Sequence, residues 1–195
     1  MAAYGRIKMT INKINDYDIV HAVADCITHK KNNHLIYAVA EHPLVFSGYG
    51  NNIDPQLCAQ HNAILVPVNN QGGVIVSDIG SISMAQFSYN STHFNHHLAA
   101  YLFNKLHNKG LNVSFNNNDI LIDGMYKVAS FSSREFNGIV FSAFQISYTV
   151  DLNLIHILCP KEMKKVPRGL ADYGITHDEM LEWFFDFCNQ YEPEE

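Results

Sequence analysis

Lys127 is the residue best placed to do chemistry. It follows Asp123-Gly124, a turn pair between two alternating apolar runs, so the segment reads as a β-hairpin with Lys127 inside its second strand. A strand fixes the direction of a side chain more firmly than a loop does. An ammonium held there can meet a carboxylate, or the oxyanion that develops during acyl transfer. A solvated lysine on a strand face would leave the same pattern. Two stretches precede it: Glu41-His42-Pro43, and the glycine pair in Asn70-Gln71-Gly72-Gly73. A glycine pair lets backbone approach a ligand where a Cβ would block it. The four cysteines, Cys26, Cys58, Cys159 and Cys188, contain no Cys-x-x-Cys pair, which indicates neither a zinc knuckle nor a disulfide scaffold. Cys26 and Cys188 fall within helical apolar patterns, as core residues do. Cys159 precedes Pro160 in an irregular stretch and is the candidate thiol. To react it needs partial exposure and a nearby cation. No metal site is expected from the eleven histidines. The adjacent His96 and His97 point about 100° apart on a helix and chelate poorly.

Composition narrows the function classes. With 195 residues, 47% of them hydrophobic, the chain reads as one domain, 1–195, with a full core. A formal charge of −6 opposes a nucleic-acid surface, which needs a basic patch. No apolar run reaches the roughly 18 residues of a membrane span. Met1 to Met9 lacks the continuous apolar core of a signal peptide. These features set the expectation of a cytoplasmic, reducing compartment with no membrane partner.

The elements that would hold Lys127 follow from periodicity and caps. Strands are predicted at Gly5–Ile14, His34–Ala40, Ile64–Val68, Val74–Ser77, Ser81–Tyr89, Leu111–Phe115, Asp119–Ile122, Met125–Phe131 and Ile139–Thr149. A helix is predicted over Tyr17–Thr28 with Asp16 as its N-cap. Asp54-Pro55 opens a short helix, and another runs from Phe94 to Asn108, closed by Gly110. The last begins at Thr176-His177-Asp178-Glu179, a capping-box pattern, and runs to about Gln190. Three substantial helices for about eight strands, in mixed order, give an α+β domain: a mixed, largely antiparallel sheet with helices packed on it.

Several short motifs, in one order, resemble those of the lipoyl(octanoyl) transferase and lipoate–protein ligase family. Glu41-His42-Pro43-Leu44-Val45-Phe46 is similar to a Glu-His-Pro-Pro-Val-Tyr stretch. Gln71-Gly72-Gly73 stands where the family has Arg-Gly-Gly, and Asp78-Ile79-Gly80 resembles its Asp-Leu-Gly. Lys127-Val128-Ala129-Ser130 matches Lys-Ile-Ala-Ser, Val150-Asp151-Leu152 matches Val-Asp-Leu, and Leu170-Ala171-Asp172-Tyr173-Gly174 resembles Leu-Ala-Asp-Leu-Gly. The resemblance covers about Tyr17 to Tyr173. It implies the catalytic fold shared with biotin–protein ligases, with Lys127 as the central catalytic residue. It further implies substrate contacts from Gln71, Gly72, Gly73, Ser77, Asp78, Ser130, Ser132, Ser142 and Ala143. The expected pocket is elongated and apolar, bordered by Gly72 and Gly73 and lined by Phe46, Tyr49, Ile75, Phe131 and Phe141.

The departures bear on mechanism. Gln71 replaces an arginine, and two family histidines fall at Ser77 and at Ser142-Ala143. Serine donates a hydrogen bond but carries no proton near neutral pH as imidazole does. The family's cysteine nucleophile falls at Lys161, with Cys159 two positions earlier. Three readings follow from the resemblance. One is an acyltransferase with a shifted or altered nucleophile, taking its acyl group from an acyl carrier protein and passing it to a lipoyl-domain lysine. One is a binding or regulatory protein that keeps the acyl site without turnover. One is a ligase that activates free lipoic or fatty acid with ATP, with Lys161, Lys164, Lys165 and Arg168 as candidate phosphate contacts. Only the ligase needs a cofactor, ATP.

Overall fold

The period-2 segments become strands of two sheets. The computed structural model describes residues 9–48, 51–67, 74–89, 93–136, 138–159, 163 and 165–191. In chain order the elements are β1 (Thr10–Lys13), α1 (Ile19–Thr28), β2 (His34–Val39), β3 (Leu44–Ser47), α2 (Pro55–Gln60), β4 (Ile64–Pro67), β5 (Val74–Ser77) and β6 (Ile82–Ser88). Then come α3 (His93–Asn108), β7 (Val113–Asn116), β8 (Asp119–Ile122), β9 (Tyr126–Phe136), β10 (Ile139–Ile146), α4 (Leu152–Leu158), β11 (Val166–Pro167) and α5 (His177–Gln190).

The larger sheet has the order β1-β2-β6-β10-β9-β8-β7, with β11 beside β9. Its pairs are antiparallel except β1–β2 and β9–β11. The smaller sheet is β4-β3-β5. The α+β expectation holds.

Each face of the larger sheet has its own cover. On one face, α3 brings Phe94, Leu98, Leu102 and Leu106, and α5 brings Met180, Trp183, Phe184 and Phe187. They bury Leu35, Ile82, Met84, Ile120, Ala129, Phe144 and Ile146. Each large side chain so buried contributes roughly 1.5–3 kcal/mol. On the other face, α1 covers Ile36, Ala85 and Phe87. The smaller sheet covers Ala38 and Ala40 with Leu44 and Val66.

Two caps form as the sequence predicts. Asp54 accepts from Gln56 N, and Thr176 from Glu179 N. Asp16 departs from expectation. It opens a 3-10 turn, Asp16–Asp18, and caps nothing there. Its Oδ2 instead accepts the backbone N–H of Glu41 (2.7 Å) and of His42 (2.9 Å), which ties the start of α1 to the loop after β2. A long-range pair of charge-assisted bonds thus replaces the local cap. The strand β3 and the helix α4 were not anticipated. Both are short apolar runs, where length and periodicity do not separate strand from helix. Asp151 starts α4 by accepting from Asn153 N and Leu154 N.

Candidate functional site

A row of polar side chains crosses the larger sheet. The register pairs Ser83 of β6 with Gln145 of β10, Gln145 with Ser130 of β9, and Ser130 with Asp119 of β8. Directly paired residues share a face. Gln145 Nε2 reaches Val76 O of β5 (3.4 Å) and Ser147 Oγ (3.2 Å). Ser83 Oγ donates to Ser77 Oγ of β5 at 3.0 Å. The row therefore faces the smaller sheet, away from α3 and α5.

A β-bulge brings Lys127 onto this face. The β8–β9 register pairs Leu121 with Lys127 but Ile120 with Ala129, so Val128 is the extra residue. Val128 and Ala129 both enter the α3–α5 core, at 0% and 1% exposure. Lys127 and Ser130, three apart, then lie on one face, where strict alternation would separate them. The hairpin turn fits its residues: Asp123 (φ 53°) and Gly124 (φ 72°) both adopt positive φ, which an Asp-Gly pair tolerates.

Asp119 organises the charge. Its Oδ1 lies 4.0 Å from Lys127 Nζ, and its Oδ2 accepts from Lys165 Nζ at 2.6 Å. Lys165 also donates to Asn116 O at 3.1 Å. Two ammonium groups thus share one carboxylate, leaving a local excess of positive charge. All three are half-buried. Arg168 lies beyond, over the Tyr126 ring and 3.6 Å from Asp172 Oδ2. Asp119 and Gln145 were not singled out from the sequence. A regular two-residue hairpin would place Asp119 opposite Val128, so only the irregular register of the folded hairpin brings it opposite Ser130.

The expected site residues divide. Lys127, Ser77, Ser130, Ser132 and Ala143 come to the face described: Ser132 pairs with Ala143, one row beyond Ser130 and Gln145. Ser142 lies on the opposite face beneath α3, its hydroxyl 3.2 Å from Ser133 Oγ, which also accepts from Asn95 Nδ2. Asp78 is clamped to backbone: Oδ1 accepts from Ile79 N (2.8 Å) and Oδ2 from Asp151 N (2.6 Å). Gln71, Gly72, Gly73 and Lys161 lie outside the described residues, as does Tyr49.

The expected lining also divides. Phe46 and Ile75 pair across β3 and β5 on the smaller sheet's inner face. Phe131 belongs to the opposite side of β9, stacked on Phe144 and edge-on to His96 of α3. The alternation past the bulge puts it there. Phe141 packs with Phe87 under α1.

Cys159 ends α4 and is half-buried. It packs against the cluster of Val45, Cys58, Leu154 and Leu158. Val45 and Phe46 alternate along β3, so that cluster occupies the smaller sheet's outer face, away from the polar row. Burial pushes the thiols of Cys26 and Cys58 above their ordinary value, and that of Cys188 up to about 12. Among the described residues no group of three or more His, Cys, Asp or Glu is arranged to hold a metal ion. No helix among them is long and apolar enough to cross a membrane.

No protein-family model matches the chain, and no curated protein matches it in sequence. Solved structures do match it in shape. The bi-partite lipoate protein ligase of an archaeal lipoylation system from Thermoplasma acidophilum, described with its E2 lipoyl domain, superimposes with a TM-score of 0.70. It is 15% identical, over 97% of this chain and 87% of that one. A lipoate-protein ligase A bound with ATP gives 0.70 at 14% identity, over 97% and 89%. The chain has the catalytic fold of lipoate and biotin protein ligases. A Helicobacter pylori biotin acetyl coenzyme A carboxylase synthetase with bound biotinylated ATP marks the biotin side of this fold. Its TM-score is 0.52 at 11% identity, over 94% of this chain and 75% of that one.

Proposed function

We propose that this lipoate ligase-like chain handles the acyl group of protein lipoylation, holding the acyl oxygens of a lipoyl or octanoyl group at Lys127 for transfer to a lipoyl-domain lysine. The observation that carries the reading is the placement of Lys127. The bulge turns it onto the face where Asp119, Ser130 and Gln145 converge, half-buried and 4.0 Å from the Asp119 carboxylate. A fixed cation in a partly dry site stabilises charge on a carboxylate or a developing oxyanion at little reorganisation cost.

The packing of Cys159 in the outer cluster of the smaller sheet favours a route without a thioester. In that route a carboxylate oxygen of the acid attacks the α-phosphorus of ATP, the α–β phosphoanhydride bond breaks, pyrophosphate leaves, and the carboxyl becomes a mixed anhydride with the nucleotide. Lys165 and Arg168, which immediately precede and follow β11, are suited to meet phosphate. The acceptor lysine's amine then attacks the activated carbonyl carbon, and nucleotide leaves. A binding role without turnover is the second reading. It is favoured by Ser77 and Ser142, neither of which can carry a proton near neutral pH.

Intact-mass analysis of a lipoyl domain incubated with the chain separates these readings. Octanoate or lipoate with ATP and magnesium is one arm, and octanoyl-carrier protein without ATP is the other. Acylation of the domain in the first arm is expected. Acylation in the second, with an octanoyl adduct on Cys159, would restore the thioester route. Acyl-acid binding with no product in either arm would leave the binding role.

A further inference from the structure

The polar row has one member without a partner. Ser83 bonds to Ser77, Gln145 to Val76 O and Ser147, and Asp119 to Lys165. Ser130 Oγ, between Gln145 and Asp119, has no hydrogen-bond partner although the residue is only 7% exposed. A buried hydroxyl left unsatisfied costs roughly 1–3 kcal/mol. On a strand its own backbone groups are committed to the ladder, so local bonding does not relieve it. Its neighbours on the row point their polar atoms elsewhere, towards β5 on one side and Lys165 on the other. On β6, β10 and β9 the next row holds the small side chains Ala85, Ala143 and Ser132, with Ile36 following on β2. Ala85 and Ile36 are packed under α1, whereas Ala143 and Ser132 are only half-buried, so an acyl tail meets the least bulk over Ala143.

We infer that the Ser130 hydroxyl is the hydrogen-bond donor to the acyl oxygen of the ligand, acting beside the Lys127 cation and setting which way the acyl chain enters. The ligand class is an acyl group whose oxygen sits over Ser130 and whose tail runs over Ala143. A carboxylate or a thioester carbonyl supplies that oxygen equally well. The inference rests on the proposed acyl site but makes a separate demand. The hydroxyl is a liability in the empty protein and an asset in the complex, so its removal has opposite effects on stability and on binding.

The test uses the full chain, with octanoate, octanoyl-pantetheine and octanol as probes, in binding titrations and thermal unfolding. The parent binds the acid or the thioester and not the alcohol, which lacks the acyl oxygen. Ser130→Ala weakens that binding roughly ten- to hundredfold, the span of a hydrogen bond to a charged group. It also raises the melting temperature of the empty protein by roughly 2–4 °C. Ser130→Cys, with similar volume and a weak donor, falls between the two. Preference for the acid or for the thioester identifies the source of the oxygen. Unchanged affinity in Ser130→Ala overturns the inference, as does a lowered melting temperature. If Lys127→Ala abolishes binding in that case, the acyl site survives without Ser130. If the parent binds no probe, the site reading itself fails.

Discussion

Asp78 separates a positioning role from a ligand contact, because its two oxygens are both occupied by backbone. Oδ1 accepts from Ile79 N at 2.8 Å and Oδ2 from Asp151 N at 2.6 Å. The second bond joins the turn after β5 to the residue that caps α4. Asp78→Asn keeps one carbonyl oxygen and turns an amide NH2 towards the other N–H, donor against donor. One charge-assisted bond is lost, worth roughly 1.5–3 kcal/mol, and a buried N–H is left unmet. At roughly 2–4 °C per kcal/mol for a chain of this size, the melting temperature should fall by about 5–10 °C. Thermal unfolding followed by circular dichroism reads this directly. Asp78→Ala, which loses both bonds, should fall further. Acyl-acid affinity measured well below the transition should change little. An unchanged melting temperature with lost affinity would refute the clamp and make Asp78 a ligand contact.

Three further outcomes follow from packing and titration. Iodoacetamide should label Cys159 before Cys26, Cys58 and Cys188, which are buried where Cys159 is half-exposed; peptide mapping over time checks the order. Labelling of Cys159 should be insensitive to Lys127→Ala, since the thiol packs on the smaller sheet's outer face. Stability should decline under alkaline conditions. Cys188 keeps its proton in the folded chain up to about 12 but releases it near 9.0 when unfolded, so its contribution is full below pH 9.0 and is lost as pH rises towards 12. Urea titrations at several pH values should show the midpoint falling across that window. Finally, Gly169→Ala should destabilise strongly, because an added Cβ would collide with the Tyr148 carbonyl oxygen and neither backbone can yield cheaply.

Much of this architecture is written locally. The Asp54-Pro55 start, the Thr176 N-cap and the Asp123-Gly124 turn each form as the sequence predicts, because a cap or a turn is decided by a few adjacent residues. Glu179, the other half of the capping-box pattern, turns to Lys109 instead. Asp16 departs from the local pattern for the complementary reason. Its partners, the N–H groups of Glu41 and His42, are 25 and 26 residues away, and no local pattern encodes them. The site was legible in part. Lys127 and Ser130 could be named from the hairpin and the motif, yet Ser142 could not be assigned a face. Strand alternation fixes which residues share a side, but only the cover, α3 here, decides which side is which.

The bulge at Val128 joins these two levels. A regular strand from Tyr126 onwards would put Lys127 and Ser130 on opposite faces, one in the site and the other in the α3–α5 core. A lysine buried against Leu98 and Phe184 would carry an unpaired charge, which costs several kcal/mol or forces its neutralisation. The extra residue resolves the conflict with two consecutive small or branched apolar side chains, Val128 and Ala129, both turned into the core. Its carbonyl stays satisfied, since Val128 O accepts from Ser147 N at 2.9 Å just beyond the end of β10. The same irregularity therefore completes the core and sets the spacing of the cation and the hydroxyl. It also explains why the motif reads Lys-Val-Ala-Ser, with two core residues between two site residues, where an uninterrupted strand would have only one.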